Sequence, residues 1–350
     1  MHILSEPDVA KVFRCLNQEK CHDFVDDLGK ALVAISAESK PNVPESEKLI
    51  HQPLRTVFST RAHNSCIFMP VSDTVSTGVK VVTVASGGIR GVINVFSPDG
   101  RLQGLLAAAE VTAFRTALAS MALFVRCASL CKENILVLGS GRQAEWHARL
   151  ALLLYPKQIR QMTFVNRGRQ RLDDLERDVL GDLRQRYRDI KFSTFAKEGT
   201  ADYEVRLLKA LQACNVIFSC TPSSEPNFPY SALESVPKQR FISLIGSYKP
   251  HMHEIDTETL LSGGGRIYVD SKSACMEESG ELKTAQVTED QLTEMGDLLG
   301  ELSPGQALDI PNGCNVIYKC VGMGLMDLVV GKKVLDVGKE LGLGTHVDGF

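Results

Sequence analysis

The chain has 350 residues, of which 44% are hydrophobic and 23% are charged, and its formal net charge is −3. This length suggests about two domains, and the composition excludes a disordered chain, a collagen-like chain and a small disulfide-stabilised scaffold. The small net charge provides no global basic field, so neither nucleic acid nor a membrane is an expected partner.

Ten cysteines are scattered through the sequence without a C-x-x-C pair. This spacing is typical of reduced thiols in a cytosolic protein and predicts no metal site. The N-terminal segment lacks a basic region followed by an apolar run, and the most apolar stretch, 102–125, contains Glu110 and Arg115. The sequence therefore predicts a cytoplasmic protein without a signal peptide or a transmembrane helix.

The first 110 residues predict an α+β domain. Ser5, followed by a proline and an acid, is typical of a helix start, and helices are predicted to about residue 15 and over 21–36. Apolar runs then predict strands at 54–60, 66–71, 79–85, 92–96 and 102–107. The tetrad SPDG at 97–100 is a reverse-turn signal, so the last two strands predict a hairpin.

The pattern changes after a long apolar helix predicted at 111–130. The run NILVL at 134–138 is typical of a parallel strand buried on both faces. Further apolar runs at 162–165, 216–220, 241–245 and 267–269 alternate with helix-like or irregular segments, including predicted helices at 142–154 and 169–187. This alternation predicts an α/β fold with a parallel sheet and helices on both faces. A last helix is predicted over about 317–341.

The segment GSGRQA at 139–144 fits the pattern G-x-G-x-x-A between a predicted strand and a predicted helix. Gly139 permits a tight turn, Gly141 lets backbone amides approach a pyrophosphate, and Ala144 allows close packing of helix on strand. The motif predicts a dinucleotide site at this helix N-terminus, and the alternative is a purely structural glycine turn. The predicted cofactor contacts from this turn are Gly139, Ser140, Gly141, Arg142 and Gln143.

The end of the second strand favours NADPH over NADH. An NAD site usually has an acidic residue there, which accepts a hydrogen bond from the ribose 2′-hydroxyl. This chain instead has Asn166 followed by Arg167, with Arg169 and Arg171 nearby. A guanidinium pairs bidentately with a 2′-phosphate, which a carboxylate would repel. We therefore predict NADPH, with NADH as the alternative if these arginines only begin a solvated helix.

The chain resembles the ornithine cyclodeaminase/μ-crystallin family over nearly its whole length. Short motifs carry this resemblance by their shared order and spacing: QPLRT at 52–56, GVKVV at 78–82, VTAFRTA at 111–117, the glycine turn, IGSYKP at 245–250, YVDS at 268–271, ESG at 278–280 and KCVGM at 319–323. The resemblance implies a Rossmann-like NAD(P)-binding domain at 131–309. It also implies a substrate-binding domain at 1–130 with 310–350, which forms a homodimer, and substrate in the cleft between the domains.

The resemblance places Arg55, Lys80 and Arg115 where the family holds the substrate carboxylate and the reacting nitrogen. Each of them lies in or beside an apolar strand or helix, where a lone cation is costly to desolvate. Three such cations favour a bound anion over the alternative of separate salt-bridged or surface-reaching residues. The remaining contacts that the resemblance implies are Arg115, Thr221, Ile245 and Val321 with the cofactor, and Glu278 with the substrate.

Ser247 distinguishes two activities within the family. Ornithine cyclodeaminases resemble this chain at the preceding residues but carry Asp at this position, and serine is too weak a base to replace it. Ketimine reductases similar to μ-crystallin have a small residue there. Together with Asn166 and Arg167, this favours an NADPH-dependent reductase of a C=N bond in a small, carboxylate-bearing imine derived from an amino acid. In this hypothesis Arg55 and Arg115 bind the carboxylate, and Lys80 donates a proton to the C=N group or stabilises its charge.

Two alternatives stay open. One is cyclodeamination of the ornithine cyclodeaminase type, or oxidation of an amino-acid conjugate in specialised metabolism. The other is a crystallin-like protein that binds NADPH and a small acid without turnover. The substrate side chain is not identified, and its recognition is assigned to strands of the first domain and to loops near 86–91 and 246–252.

Overall fold

The computed structural model describes residues 1–85, 88–303 and 305–349, so Ser86 and Gly87 of the loop near 86–91 lie outside the described residues. The chain forms two compact units: unit 1 comprises Met1–Thr116 with Gly322–Phe350, and unit 2 comprises Ala117–Val321. The domain bounds that the resemblance implies group 117–130 and 310–321 with the first domain. The structure groups them with unit 2, where Phe124 packs edge-on against Phe218 and residues 316–319 form a strand of the second sheet.

The strands are, in chain order, β1 (His2–Leu4), β2 (Thr56–Ser59), β3 (Ser65–Ser72), β4 (Thr77–Ala85), β5 (Gly88–Phe96), β6 (Leu102–Ala107), β7 (Asn134–Leu138), β8 (Gln161–Asn166), β9 (Lys191–Ala196), β10 (Val216–Ser219), β11 (Phe241–Leu244), β12 (Ile267–Val269), β13 (Leu292–Glu294), β14 (Val316–Lys319) and β15 (Thr345–His346).

The helices are, in chain order, α1 (Glu6–Arg14), α2 (Gln18–Glu38), α3 (Ala108–Phe124), α4 (Arg142–Leu154), α5 (Arg169–Leu175), α6 (Gly181–Arg186), α7 (Tyr203–Ala213), α8 (Ser231–Glu234), α9 (Thr257–Leu261), α10 (Lys272–Glu278), α11 (Gly280–Thr284), α12 (Met295–Glu301) and α13 (Gly324–Glu340). A π-helical turn, Glu176–Leu180, joins α5 to α6.

Unit 1 is built on a mixed sheet with the order β15-β1-β6-β5-β4-β3-β2 among the described residues. Strands β2 to β6 form an antiparallel meander, and the predicted hairpin joins β5 to β6. Helix α13 packs against α2 and against β3, β4 and β5. The helical layer has an aromatic core in which Phe13 stacks on Phe114 with ring centroids 3.7 Å apart. Unit 1 is therefore the α+β part that the sequence predicts.

Unit 2 contains a parallel sheet with the described order β13-β12-β14-β11-β10-β7-β8-β9. Strands β10, β11, β12 and β14 are buried at every position, as expected for a sheet covered by helices on both faces. The chain runs from β7 to β8 and β9 on one side and later returns to β10 and β11 on the other. The end of β7 is therefore the topological switch point, the usual place for a ligand in an open parallel sheet. This confirms the predicted α/β, Rossmann-like class.

The structure differs from the predicted elements in several places. Residues 316–319 form strand β14, so the prediction of a helix from about 317 was wrong: the β-branched and aromatic run is buried between β11 and β12. Helix α3 ends at Phe124 instead of near residue 130. Strand β9 and helix α7 were not predicted, because their short apolar patterns are interrupted by polar residues.

No helix in the described part of the chain combines the length and the apolar character that a membrane span needs. The described residues include all ten cysteines, and these form no disulfide bond with one another.

Candidate functional site

The predicted glycine turn lies directly after β7. The amide of Gly139 donates to the carbonyl oxygen of Val165 at 2.7 Å, which ties the turn to the end of β8. Gly139 has φ +120°, and a β-carbon there would lie 3.0 Å from the carbonyl oxygen of Cys220. Both the backbone conformation and the close approach of the neighbouring strand therefore require glycine at this position.

The polar atoms and the open space at this turn fit a bound dinucleotide. The hydroxyl of Ser140 and the side-chain oxygen of Gln143 are buried and have no hydrogen-bond partner among the described residues. Among the residues that the structure describes, no atom lies within 4 Å of where a β-carbon on Gly141 would be, and no side chain caps the N-terminus of the 13-residue helix α4. Open space, backbone amides and unpaired polar atoms are what a pyrophosphate needs at this place.

The ends of the neighbouring strands meet the glycine turn. A β-carbon on Gly139 would lie 3.1 Å from the hydroxyl of Thr221, and one on Gly246 would lie 2.2 Å from the carbonyl oxygen of Thr221. The amide of Ile245 donates to Ser219 at 2.9 Å. Unit 2 thus brings the glycine turn, Thr221 and Ile245 together at the carboxyl edge of its sheet.

Val321 follows β14, which is the strand next to β11. Its amide donates at 3.2 Å to Oδ1 of Asp270, a buried carboxylate at the end of β12. Asp270 therefore fixes the backbone at Val321, on the same edge of the sheet as the other predicted cofactor contacts. The sequence analysis quoted Asp270 only as part of a motif.

A carboxylate that was not among the predicted site residues lies beside the end of β8. Oε2 of Glu198 accepts a hydrogen bond from the amide of Arg169 at 2.9 Å, and the amide of Glu198 donates to the carbonyl oxygen of Arg167 at 2.9 Å. The guanidinium of Arg167 donates to the carbonyl oxygen of Pro222 at 3.2 Å. An exposed glutamate from the segment after β9 therefore lies beside the arginines that were assigned to a 2′-phosphate.

Ser247 is buried and held inside unit 2. The ammonium of Lys319 donates to the carbonyl oxygen of Ser247 at 2.6 Å and to its hydroxyl at 2.5 Å, and this hydroxyl donates to Glu281 at 2.5 Å. The amide of Ser247 donates to Glu254 at 3.0 Å. Burial raises the pKa of Glu254 to about 7, with Lys319 opposing the shift and Glu281 adding to it. A carboxylate in place of Ser247 would face two glutamates.

Unit 1 contains two of the predicted cations in one buried cluster. Lys80 on β4 is 3% exposed and Arg115 on α3 is 4% exposed, and both pair with Asp327 in the first turn of α13. Nζ of Lys80 lies 2.6 Å from Oδ2 of Asp327, and Nε of Arg115 donates to Oδ1 at 3.0 Å. Asp327 therefore supplies part of the negative charge that these buried cations need.

The electrostatics of Lys80 place Arg55 in the same neighbourhood. The pKa of Lys80 is lowered from its ordinary value of 10.5 to about 8, chiefly by burial and in addition by the charges of Arg115 and Arg55, while Asp327 opposes the shift. Arg55 is half-buried just before β2. Three of the residues assigned to the substrate thus share one electrostatic environment, in which an added carboxylate would be favourable.

The sequence contains a signal that Asp327 is paired. Asp327 stands in the apolar segment Gly324-Leu-Met-Asp-Leu-Val-Val, where a lone carboxylate is as costly to bury as a lone cation. Glu278, the other residue assigned to substrate, is half-buried at the end of α10 in unit 2. Its role and the cofactor role of Arg115 stay predictions.

Comparisons with known proteins cover most of the chain. The model of the ornithine cyclodeaminase/mu-crystallin family matches residues 40–340, which confirms the resemblance that the short motifs indicated. An uncharacterised protein of Saccharomyces cerevisiae is 29% identical over 330 residues, covering 83% of this chain and 86% of that protein. A Δ1-pyrroline-2-carboxylate reductase of Bacillus cereus is 24% identical over 314 residues, covering 85% and 89%.

A solved structure shows the same fold. The Δ1-pyrroline-2-carboxylate reductase of Thermococcus litoralis, in complex with NADH and L-proline, superposes with a TM-score of 0.79 at 19% identity. The match covers 99% of this chain and all of that chain.

Proposed function

Because the chain belongs to the ornithine cyclodeaminase/mu-crystallin family, we propose that it is an NADPH-dependent oxidoreductase that reduces the C=N bond of a small, carboxylate-bearing imine. The observation that carries this proposal is the buried cluster of Lys80, Arg115 and Asp327, with the charge of Arg55 acting on Lys80. An amine whose pKa is about 8 can donate a proton near neutral pH.

The substrate carboxylate binds to Arg55 and Arg115 in this proposal. Asp327 accepts a hydrogen bond from Nε of Arg115 and so fixes the plane of the guanidinium, and a fixed plane favours the binding of a carboxylate. Fixing the substrate by its carboxylate places the C=N group at Lys80, and such positioning contributes several kcal/mol to lowering the barrier.

The reduction needs one hydride at carbon and one proton at nitrogen. The bound nicotinamide supplies the hydride. The ammonium of Lys80 donates the proton to the imine nitrogen, which gives the amine, and then regains a proton from solvent. Burial of Lys80 supports this role, because desolvation has already weakened its hold on the proton.

Relatives support a cyclic imine as substrate. The protein of Bacillus cereus and the solved structure from Thermococcus litoralis are both Δ1-pyrroline-2-carboxylate reductases. We propose a five- or six-membered cyclic imine with a carboxylate on the imine carbon. Ser247 supports reduction over cyclodeamination, since its hydroxyl is engaged by Lys319 and Glu281.

NADPH is the proposed cofactor. The replacement of the usual acid by Asn166 and the guanidinium of Arg167 support it. Glu198 opposes it, because its carboxylate lies against the amide of Arg169. The structure of the Thermococcus litoralis relative contains NADH, so both cofactors belong in any test.

The test is a screen of imine-dependent NADPH oxidation, followed by the absorbance of the reduced nicotinamide. The panel contains pyrroline- and piperideine-carboxylates, with ornithine and lysine as diamino-acid controls. We expect NADPH consumption equal to amine formed with a cyclic imine carboxylate. Ammonia release from ornithine without net cofactor change would instead establish cyclodeamination, and tight ligand binding without turnover would establish a crystallin-like role.

We propose a homodimer formed through unit 1. Its edge strand β2 exposes Val57 and Phe58, at 54% and 49%, and exposed apolar side chains on an edge strand favour association. Light scattering should give the mass of a dimer for the natural protein and that of a monomer for Phe58→Glu. The control is Val205→Glu, at an exposed apolar residue of unit 2. A monomeric natural protein would exclude this proposal.

We also propose a cytoplasmic location. The ten cysteines, which form no disulfide with one another among the described residues, support a reducing compartment. Cell fractionation with an antibody to the chain tests this, and recovery in a membrane-enclosed oxidising compartment would contradict it.

A further inference from the structure

We propose that Asp327 is a positioning residue of the reductase site, which holds Lys80 and Arg115 in one arrangement and keeps Lys80 in its proton-donating form. This inference rests on the proposed function. It goes beyond it by assigning to the C-terminal helix a role in the proton transfer itself.

The geometry gives Asp327 two partners with different roles. Its Oδ1 accepts from Nε of Arg115 at 3.0 Å, and its Oδ2 lies 2.6 Å from Nζ of Lys80. All three residues are at most 4% exposed. One carboxylate therefore fixes the distance between the proposed carboxylate-binding group and the proposed proton donor, so that a single substrate can contact both.

The segment before α13 and the first turn of this helix hold Asp327 beside Arg115. Gly322 has φ +91°, and a β-carbon there would lie 2.5 Å from Nη1 of Arg115, so only glycine lets the chain pass beneath the guanidinium. Nη1 of Arg115 also donates to the sulfur of Met326 at 3.5 Å. The amide of Leu325 donates to the side chain of Gln52 at 2.8 Å, which anchors the first turn of the helix.

The charges around Lys80 explain why a carboxylate is needed. Burial favours the neutral amine, and Arg115 on α3 and Arg55 before β2 act in the same direction. Asp327 on α13 acts against them, both by its charge and by a hydrogen bond. Removing the charge of Asp327 leaves burial and two cations unopposed, so the pKa of Lys80 must fall below about 8. Lys80 would then be largely neutral at physiological pH and unable to donate.

The experiment compares pH profiles of the full-length protein and Asp327→Asn, which removes the charge and keeps the shape. The natural protein should lose kcat/KM with a cyclic imine carboxylate as pH rises through about 8, because its donor deprotonates. In Asp327→Asn this alkaline limb should move at least about one pH unit lower, with a loss of about tenfold or more at neutral pH. Asp327→Glu keeps the charge and should return the limb toward its natural position.

Asp73→Asn is the matched control. Asp73 also pairs with a lysine of α13, Lys332, at 2.9 Å, but this pair is partly exposed. The alkaline limb of the pH profile of Asp73→Asn should coincide with that of the natural protein. An Asp327→Asn variant that is slower at every pH with an unmoved limb would reduce Asp327 to a structural residue and overturn the proposal.

A second measurement does not depend on turnover. Carbon-13 NMR of lysine-labelled protein, with the Lys80 signal assigned by Lys80→Arg, gives the pKa of Lys80 in each variant. A fall in Asp327→Asn supports the proposal even if no imine of the panel is reduced, in which case the proposed function alone fails. An unchanged Lys80 pKa overturns the inference even if the natural protein is a reductase. If Asp327→Asn does not fold, Asp327→Glu decides: the Lys80 pKa should stay near its natural value because the charge is kept, while kcat/KM should fall because the longer carboxylate displaces the two cations. An untouched kcat/KM in Asp327→Glu would exclude a positioning role.

Discussion

Arg115 and Asp327 are 212 residues apart in the chain and form a buried ion pair in unit 1, with Nε 3.0 Å from Oδ1. The pair joins the helix that follows the β-meander to the C-terminal helix that packs on the same sheet. Because Lys80 shares the same carboxylate, the C-terminal segment completes the proposed site. Loss of one partner from such a buried pair leaves an uncompensated charge, which is strongly destabilising.

Replacing the proposed proton donor should abolish reduction and spare cofactor binding. We expect Lys80→Met to lower kcat by about 100-fold or more, the usual loss for a general acid. Nicotinamide fluorescence should give the same affinity for NADPH, because the glycine turn belongs to unit 2. Lys332→Met, at a partly exposed lysine of unit 1, is the control. A fully active Lys80→Met would remove Lys80 from the mechanism.

Gly322→Ala should damage the substrate site beyond the cost of backbone strain. A non-glycine residue in the left-handed region costs about 1–2 kcal/mol, and at Gly322 the new β-carbon would also collide with the guanidinium of Arg115. We expect a raised KM for the imine. Gly100→Ala separates the two effects, since Gly100 has φ +85° but open space around it. Equal KM values in the two variants would mean that Arg115 does not bind the substrate.

Glu198→Gln should shift the cofactor preference toward NADPH. The variant removes a negative charge beside Arg167 and Arg169 and leaves a weaker acceptor for the amide of Arg169. We expect the ratio of NADH to NADPH dissociation constants to rise several-fold, a small effect because exposed charges are screened. Arg167→Ala should lower the same ratio, and Glu204→Gln, an exposed glutamate of unit 2, should leave it unchanged. An unaltered ratio in Glu198→Gln would place the 2′-phosphate away from this carboxylate.

The stability of unit 2 should decrease between about pH 5 and pH 7 through Glu254. Burial raises the pKa of Glu254 in the folded protein to about 7, above its ordinary value of 4.5, so the folded state binds this proton more tightly than the unfolded state. The stabilisation is complete below the unfolded pKa and is lost as pH rises through the folded pKa, with a total on the order of 3 kcal/mol at most. Urea unfolding at several pH values should show this loss in the natural protein and in the control Glu225→Gln, at an exposed glutamate of unit 2, but not in Glu254→Gln. A loss of equal size in Glu254→Gln would assign it to other groups.

Much of the fold follows from patterns that neighbouring residues carry. The run at 134–138, the turn at 139–144 and the hairpin signal at 97–100 each predict an element that the structure contains. The error at 316–319 has a physical cause. A short buried apolar run does not show by its own periodicity whether it is strand or helix, and here the neighbours β11 and β12 decide.

The sequence by itself determined the parallel sheet and the glycine turn at its switch point, because backbone conformation and burial period are local properties. The candidate cations at positions 55, 80 and 115 came from the resemblance to a family. Only the tertiary structure decided which polar and charged groups are in contact: Asp327 with Lys80 and Arg115, Glu198 with the amide of Arg169, and Lys319 with Ser247. The physical reason is that Coulomb energy and hydrogen bonding depend on distance in space and on burial. Arg115 and Asp327, for example, are 212 residues apart along the chain, so no local sequence pattern indicates that they are in contact.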